Sequence, residues 1–161
     1  IVLMGRYPYI GRFGKEGDED YEIINESLKL TNTYSLKKRN INEISGGERQ
    51  RVIIAKALAQ KPSLILLDEP TSHLDINYQI EILTLLRKLN KNKGSTIILV
   101  IHDINLASRY SDNLILLNKG KVLGIGKPNE VINKYNIEKA YNLKVAIEKN
   151  RITDSIQITP L

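Results

Sequence analysis

The sequence predicts an α/β chain, a mostly parallel sheet flanked by helices, and three stretches carry that prediction. Leu64 to Leu67 is apolar without alternation, the pattern of a parallel strand buried on both faces, and Asp68 and Glu69 stand where it ends. Before it, Ser45 is followed three residues later by Glu48 and then by the periodic set Val52, Ile53, Ala55, Leu58 and Ala59. That spacing is a capping box, so a helix starts at Ser45, and Lys61-Pro62 ends it. After it, Asp75 can cap a helix with Ile76, Ile80, Leu83, Leu86 and Leu89 on one face, closed at Lys93-Gly94, and an apolar strand from Thr96 to Ile101 follows.

The remaining elements follow in order. Residues 1–14 are rich in Gly and Pro and read as a loop carrying Tyr7, Tyr9 and Phe13. Asp18 to Leu30 reads as a helix with acids in its first turns and Ile23, Ile24, Leu28 and Leu30 on one side. Thr31 to Asn40 is a polar, Lys-rich connector. Beyond Ile101, Ile104 to Tyr110 reads as a short helix and Asn113 to Leu117 as a strand that turns at Asn118-Lys119-Gly120-Lys121 into Val122 to Ile125. A helical tract from Asn129 through Tyr141 precedes two weakly alternating strands, Lys144 to Glu148 and Ile152 to Ile158.

At 161 residues, with 42% hydrophobic and 26% charged content, the chain has the makings of a globular domain with a core. No apolar run approaches a membrane span, and the absence of cysteine excludes disulfides and thiolate metal sites. The formal charge of +6 comes from Lys and Arg scattered through helices and turns rather than from a block, so no nucleic-acid partner is expected.

Two places invite chemistry. At the Ser45 helix start, Gly46 and Gly47 let a ligand approach the backbone, and the unpaired N–H groups and helix dipole favour a phosphate; an ordinary capped helix reads the same way. Ligands of open α/β sheets bind beyond the carboxyl ends of strands, so Asp68 and Glu69 suggest a metal partner and a base, or else caps of the next loop.

Taken together, these motifs resemble a known family. Ser45-Gly46-Gly47-Glu48-Arg49-Gln50-Arg51 is similar to the signature motif of ATP-binding-cassette (ABC) ATPases, and Leu64 to Glu69 to their Walker B strand. Ser72-His73-Leu74-Asp75 resembles the D-loop, and His102, after the strand Thr96 to Ile101, resembles the switch histidine. Lys56 stands where Arg is usual and Ile44 where Leu is usual. The segments Val2 to Tyr9 and Gly120 through Pro160 further resemble the importers of iron-siderophore, haem and cobalamin.

The resemblance implies the C-terminal part of a P-loop NTPase ABC domain plus helical subdomain. It divides into 1–60 (helical subdomain and signature helix), 61–126 (Walker B to switch-histidine core) and 127–161 (a helical and strand tail). It implies ATP and Mg2+ as cofactors. Asp68 would hold the metal through water, Glu69 would act as general base and His102 would contact the γ-phosphate. Ser45, Gly46 and Gly47, with Glu48 and Gln50 of the same motif, would bind the γ-phosphate of a nucleotide held on a second subunit, and Asp75 would couple the two sites. Partners would be that second ATPase subunit, arranged head to tail, transmembrane permease subunits, and indirectly a substrate-binding protein, at the cytoplasmic face of the membrane. Tyr7, Tyr9 and Phe13 are candidate permease contacts.

No Gly-x-x-x-x-Gly-Lys-Ser/Thr motif occurs, so the chain is expected to begin within the domain and to be inactive alone. A non-transport ABC ATPase, acting in DNA repair or on ribosomes, and a non-catalytic domain without a P-loop are the alternatives.

Overall fold

The computed structural model describes residues 1–11 and 14–161 and divides into two compact units, Ile1–Val100 and Ile101–Leu161. In the first unit, a 3-10 helix (Val2–Tyr9) leads to α1 (Asp18–Leu30) and two 3-10 turns (Tyr34–Leu36 and Ile41–Glu43). Then come α2 (Gly46–Leu58), β1 (Leu64–Leu67), α3 (Ile76–Lys93) and β2 (Thr96–Leu99). The two strands pair in parallel, Leu64 opposite Thr96 through Leu67 opposite Leu99, with α3 as the crossover between them.

Helix α2 serves two cores because its apolar residues fall on two faces. Val52, Ala55 and Ala59 pack with Val2, Ile23, Ile24 and Leu28, while Ile54 and Leu58 pack with Ile65, Ile82, Leu86 and Leu89. A large share of the unit's apolar burial therefore runs through this one helix.

The first residues depart from expectation. They form a 3-10 helix rather than a loop, because tertiary contacts override the local Gly and Pro signal. Gly5 is needed for close packing: any side chain there would drive into the Lys56 carbonyl of α2. Buried Arg6 ties three elements together. Its Nε donates to Asp20 Oδ1 of α1 at 2.8 Å, its Nη1 donates to the Ala59 carbonyl at 2.9 Å, and its guanidinium lies 4.2 Å from the centre of the Tyr9 ring.

The β1 strand also differs from expectation. Ile65 is buried against the helices, but Leu64 and Leu66 are 47% and 68% exposed, as is Ile98 of β2 at 54%. The apolar run is there, but the described residues cover only one face of this two-stranded sheet.

The second unit holds α4 (Ile104–Tyr110), β3 (Leu114–Asn118), β4 (Lys121–Gly126), α5 (Pro128–Val131), α6 (Lys134–Tyr141), β5 (Val145–Lys149) and β6 (Ile156–Pro160). β3 and β4 form a hairpin whose turn residues Lys119 and Gly120 are both left-handed, the geometry that suits the strand twist. β5 and β6 form a second antiparallel pair. Ile132, Ile137, Val145 and Ile158 make the core. The tract expected as one helix from Asn129 to Tyr141 is two, because Asn133 breaks it and caps α6 by accepting from the Asn136 N–H.

Two predictions follow from these contacts. The Arg6 guanidinium, and then the Gly17 N–H, hold the Asp20 carboxyl below the usual carboxylate range. A carboxylate held low when folded contributes stability above its unfolded pKa of about 3.9 and loses it as pH falls through the folded value. Asp20→Asn should therefore lower the Tm near neutral pH, with the gap to wild type closing at more acid pH. A gap that stays constant across a pH series of thermal melts contradicts this.

At Gly47, a Cβ would lie 2.6 Å from Tyr78 Cδ1 and 3.2 Å from Tyr78 Cβ, at the root of the ring where it cannot swing aside. Gly47→Ala should destabilise by about 1–3 kcal/mol, and by less in a Tyr78→Ala background; equal losses in both backgrounds, measured by denaturant titration, contradict the clash.

Candidate functional site

The start of α2 is built as the sequence predicts. Ser45 sits at the cap in extended conformation; its Oγ accepts the Glu48 N–H at 3.3 Å, and its own N–H donates to Glu48 Oε2 at 2.9 Å. The Ser45 N–H, then its hydroxyl, hold the Glu48 carboxyl below the usual range. With Glu48's N–H taken up by the cap, the N–H groups of Gly46 and Gly47 are left at the helix end, where the dipole is positive. Ser45 and Gly46 are exposed, Gly47 is buried, and Gln50 is half-buried one turn further on.

Beside this helix start lies the start of α3. A Cβ on Gly46 would sit 3.6 Å from Leu74 Cδ2, and Gly47 meets Tyr78, so Leu74 of the Ser72-to-Asp75 loop lies beside Gly46 and the first turn of α3 beside Gly47. Asp75 occupies the cap position of α3, but its side chain makes no capping bond; Gln79 steadies the turn by donating from Nε2 to the Leu74 carbonyl at 2.9 Å. One turn deeper, Arg51 of α2 pairs with Glu81 of α3.

Asp68 and Glu69 leave the end of β1, both exposed, while Pro70 and Thr71 after them are buried and anchor the turn. Glu69 has a left-handed backbone, φ 45°, a conformation that glutamate adopts at a cost. The turn is closed by Ser72, whose N–H donates to the Glu69 carbonyl at 3.1 Å and whose Oγ donates to Glu69 Oε2 at 2.8 Å. The carboxylate is thus aimed by a neighbour that can also release it.

His102 belongs to the second unit, exposed, between β2 and α4 in the chain. Asp103 caps α4, its Oδ1 accepting from the Asn105 and Leu106 N–H groups at 2.8 and 2.9 Å. Among the described residues no three His, Asp, Glu or Cys side chains gather into a metal site. Mg2+ commonly needs only one or two carboxylates when substrate phosphates complete its shell, and Asp68 fits that role.

Of the aromatic side chains singled out in the first segment, Tyr7 and Tyr9 are 55% and 59% exposed, and Phe13 lies outside the described residues. Tyr9 is nonetheless engaged locally, its hydroxyl donating to the Gln60 carbonyl at 2.6 Å under the Arg6 guanidinium. Sequence reasoning missed Ser72 as the partner of Glu69 and Tyr78 as the wall behind Gly47. Ser72 had a visible signal, a hydroxyl three residues after Glu69; Tyr78 had none.

Comparison with known proteins bears on this arrangement. The family model described as ABC transporter matches residues 11–72. The ferric enterobactin transport ATP-binding protein FepC of Escherichia coli (strain K12) is 41% identical over 161 residues, 100% of this chain and 58% of that protein. An inward-facing structure of a metal-chelate type ABC transporter superposes with a TM-score of 0.92 at 33% identity, covering 99% of this chain and 64% of that one. The dimeric structure of MJ0796, a bacterial ABC transporter cassette, superposes at 0.62 with 37% identity over 78% of this chain and 54% of its own. The chain thus spans a little over half the length of the curated relatives it matches. The matched stretch takes in both the capped start of α2 and the carboxylates after β1, and the likeness to ATP-binding subunits of ABC transporters extends over the whole chain.

Proposed function

We propose that this chain is part of the ATP-binding subunit of an ABC importer, coupling ATP hydrolysis to uptake of a metal chelate such as iron-siderophore, haem or cobalamin. The observation that carries the reading is the capped start of α2, with the Gly46 and Gly47 N–H groups at its end and the Ser72-to-Asp75 loop packed beside it. The relatives are named for ferric enterobactin and metal-chelate transport, which supports the cargo class.

In this reading the helix start acts in trans. Ser45, Gly46 and Gly47 present donors and a positive dipole end to the γ-phosphate of ATP held by a second, head-to-tail copy, with Glu48 and Gln50 fixing the motif. The dimeric cassette among the structural matches supports pairing of two copies. Asp75, exposed at the start of α3, helps couple the two sites in this reading. Bound Mg2+ supplies charge neutralisation at the phosphates, and Asp68 is the residue of this chain that would hold it through water.

Glu69 polarises the attacking water. Its left-handed backbone turns the side chain off the strand direction, and Ser72 holds it ready until a water takes over that bond. His102 contacts the γ-phosphate. A P-loop supplied outside these 161 residues would cradle the other phosphates, so the chain alone is expected to bind ATP weakly and not to turn it over.

The subunit works at the cytoplasmic face of the membrane with permease subunits, and indirectly with a substrate-binding protein. No helix among the described residues is long and apolar enough to cross a membrane, and Tyr7 and Tyr9, exposed in the first segment, are the proposed permease contacts.

The test is Glu69→Gln in the intact protein, which keeps size and hydrogen bonding but removes the base. ATP turnover should fall by roughly 10²–10⁴-fold while the Kd for magnesium-ATP stays within about twofold. A variant retaining most of its turnover contradicts the role of Glu69.

A further inference from the structure

The residues after His102 are fastened to the far end of the chain. Asn105 makes two side-chain bonds to one residue 53 positions away: its Oδ1 accepts the Ile158 N–H at 2.8 Å, and its Nδ2 donates to the Ile158 carbonyl at 3.2 Å. Among the described residues β6 pairs only with β5, and in that ladder Ile158 stands opposite Ile147. The Asn105 amide therefore occupies the free side of β6 and answers both of its backbone groups there, as one rung of a further strand would.

The clamp is tied at both ends. On one side, the Ile158 side chain is buried with Ile132, Ile137 and Val145. On the other, Asn105's own N–H is held by the Asp103 carboxylate, and Ile104 packs against the same core. The residues that follow His102 are thus held by a cap, an amide clamp and an apolar anchor.

We infer that the β5–β6 hairpin sets the placement of His102, and that Asn105 is the positioning residue that transmits it. The inference rests on the proposed contact of His102 with the γ-phosphate. Asn105 touches neither nucleotide nor water in this scheme; it acts through the backbone of residues 102–105. Two amide bonds to backbone fix both direction and distance, whereas the apolar anchor alone would let α4 slide along the core.

The test compares Asn105→Ala and Asn105→Asp with wild type in the intact protein. Asparagine at 133 provides the control, because Asn133→Ala also removes a side-chain-to-backbone bond within the same unit. Asp at 105 keeps the acceptor for the Ile158 N–H and loses the donor, so it carries the test if the alanine variant does not fold. For Asn105 variants, kcat for magnesium-ATP should fall on the order of 10- to 100-fold with KM within about twofold, while Asn133→Ala keeps its kcat. The ring resonances of His102, assigned by their loss in His102→Ala, should move in both Asn105 variants while those of His73 stay in place.

Unmoved His102 resonances, or a lowered Tm with kcat unchanged, overturn the positioning role. If His102→Ala itself keeps wild-type turnover, the phosphate contact fails instead, and the resonances alone then decide whether the hairpin places the ring.

Discussion

Everything in the first unit depends on α2 being held in one place. Its two faces feed separate apolar clusters, so it cannot rotate or slide without opening one of them. At its C-terminal end, Arg6 takes up the Ala59 carbonyl and links α2 to α1 through Asp20. At its N-terminal end, the Ser45–Glu48 box and the contact of Gly47 with Tyr78 fix the first turn against α3. A helix whose end is a proposed phosphate site has to be immobile in this way, because donors that must reorganise on binding lose much of their worth.

The carboxylates after β1 follow a different design. Asp68 and Glu69 are exposed, and Glu69 is held in an unfavourable backbone conformation by the turn that Pro70, Thr71 and Ser72 complete. A rigid anchor next to an accessible, aimed carboxylate is what a group needs if it is to order a water without being buried itself. Unfavourable backbone geometry of this kind persists only where the surroundings over-determine it, and the two buried residues after Glu69 supply that constraint.

What was legible in the sequence was local. The span of α1, the capping box at Ser45, the run of α3 to its left-handed Gly94 and the Lys119-Gly120 turn all rest on residues within a few positions of one another, and each was readable. The 3-10 helix at the start was not, because it exists through Gly5 against Lys56 and Arg6 against Asp20 and Ala59. Burial of β1 was misjudged on one face for a related reason: an apolar run states what a strand would bury, not what is present to cover it. In the site, the motif residues could be named in advance, but Tyr78, Ser72 as the holder of Glu69, and the clamp of Asn105 on Ile158 emerged only from tertiary contact.

The central claim is that the start of α2 completes a nucleotide site on another copy of the protein. Sedimentation velocity of the intact Glu69→Gln protein measures this directly, since blocked hydrolysis should trap the paired state. Magnesium-ATP should convert it from monomer to dimer, and adding Ser45→Arg, which places a bulky cation at the capped helix start, should abolish that conversion. A dimer that forms equally without nucleotide, or that persists with arginine at position 45, contradicts the account.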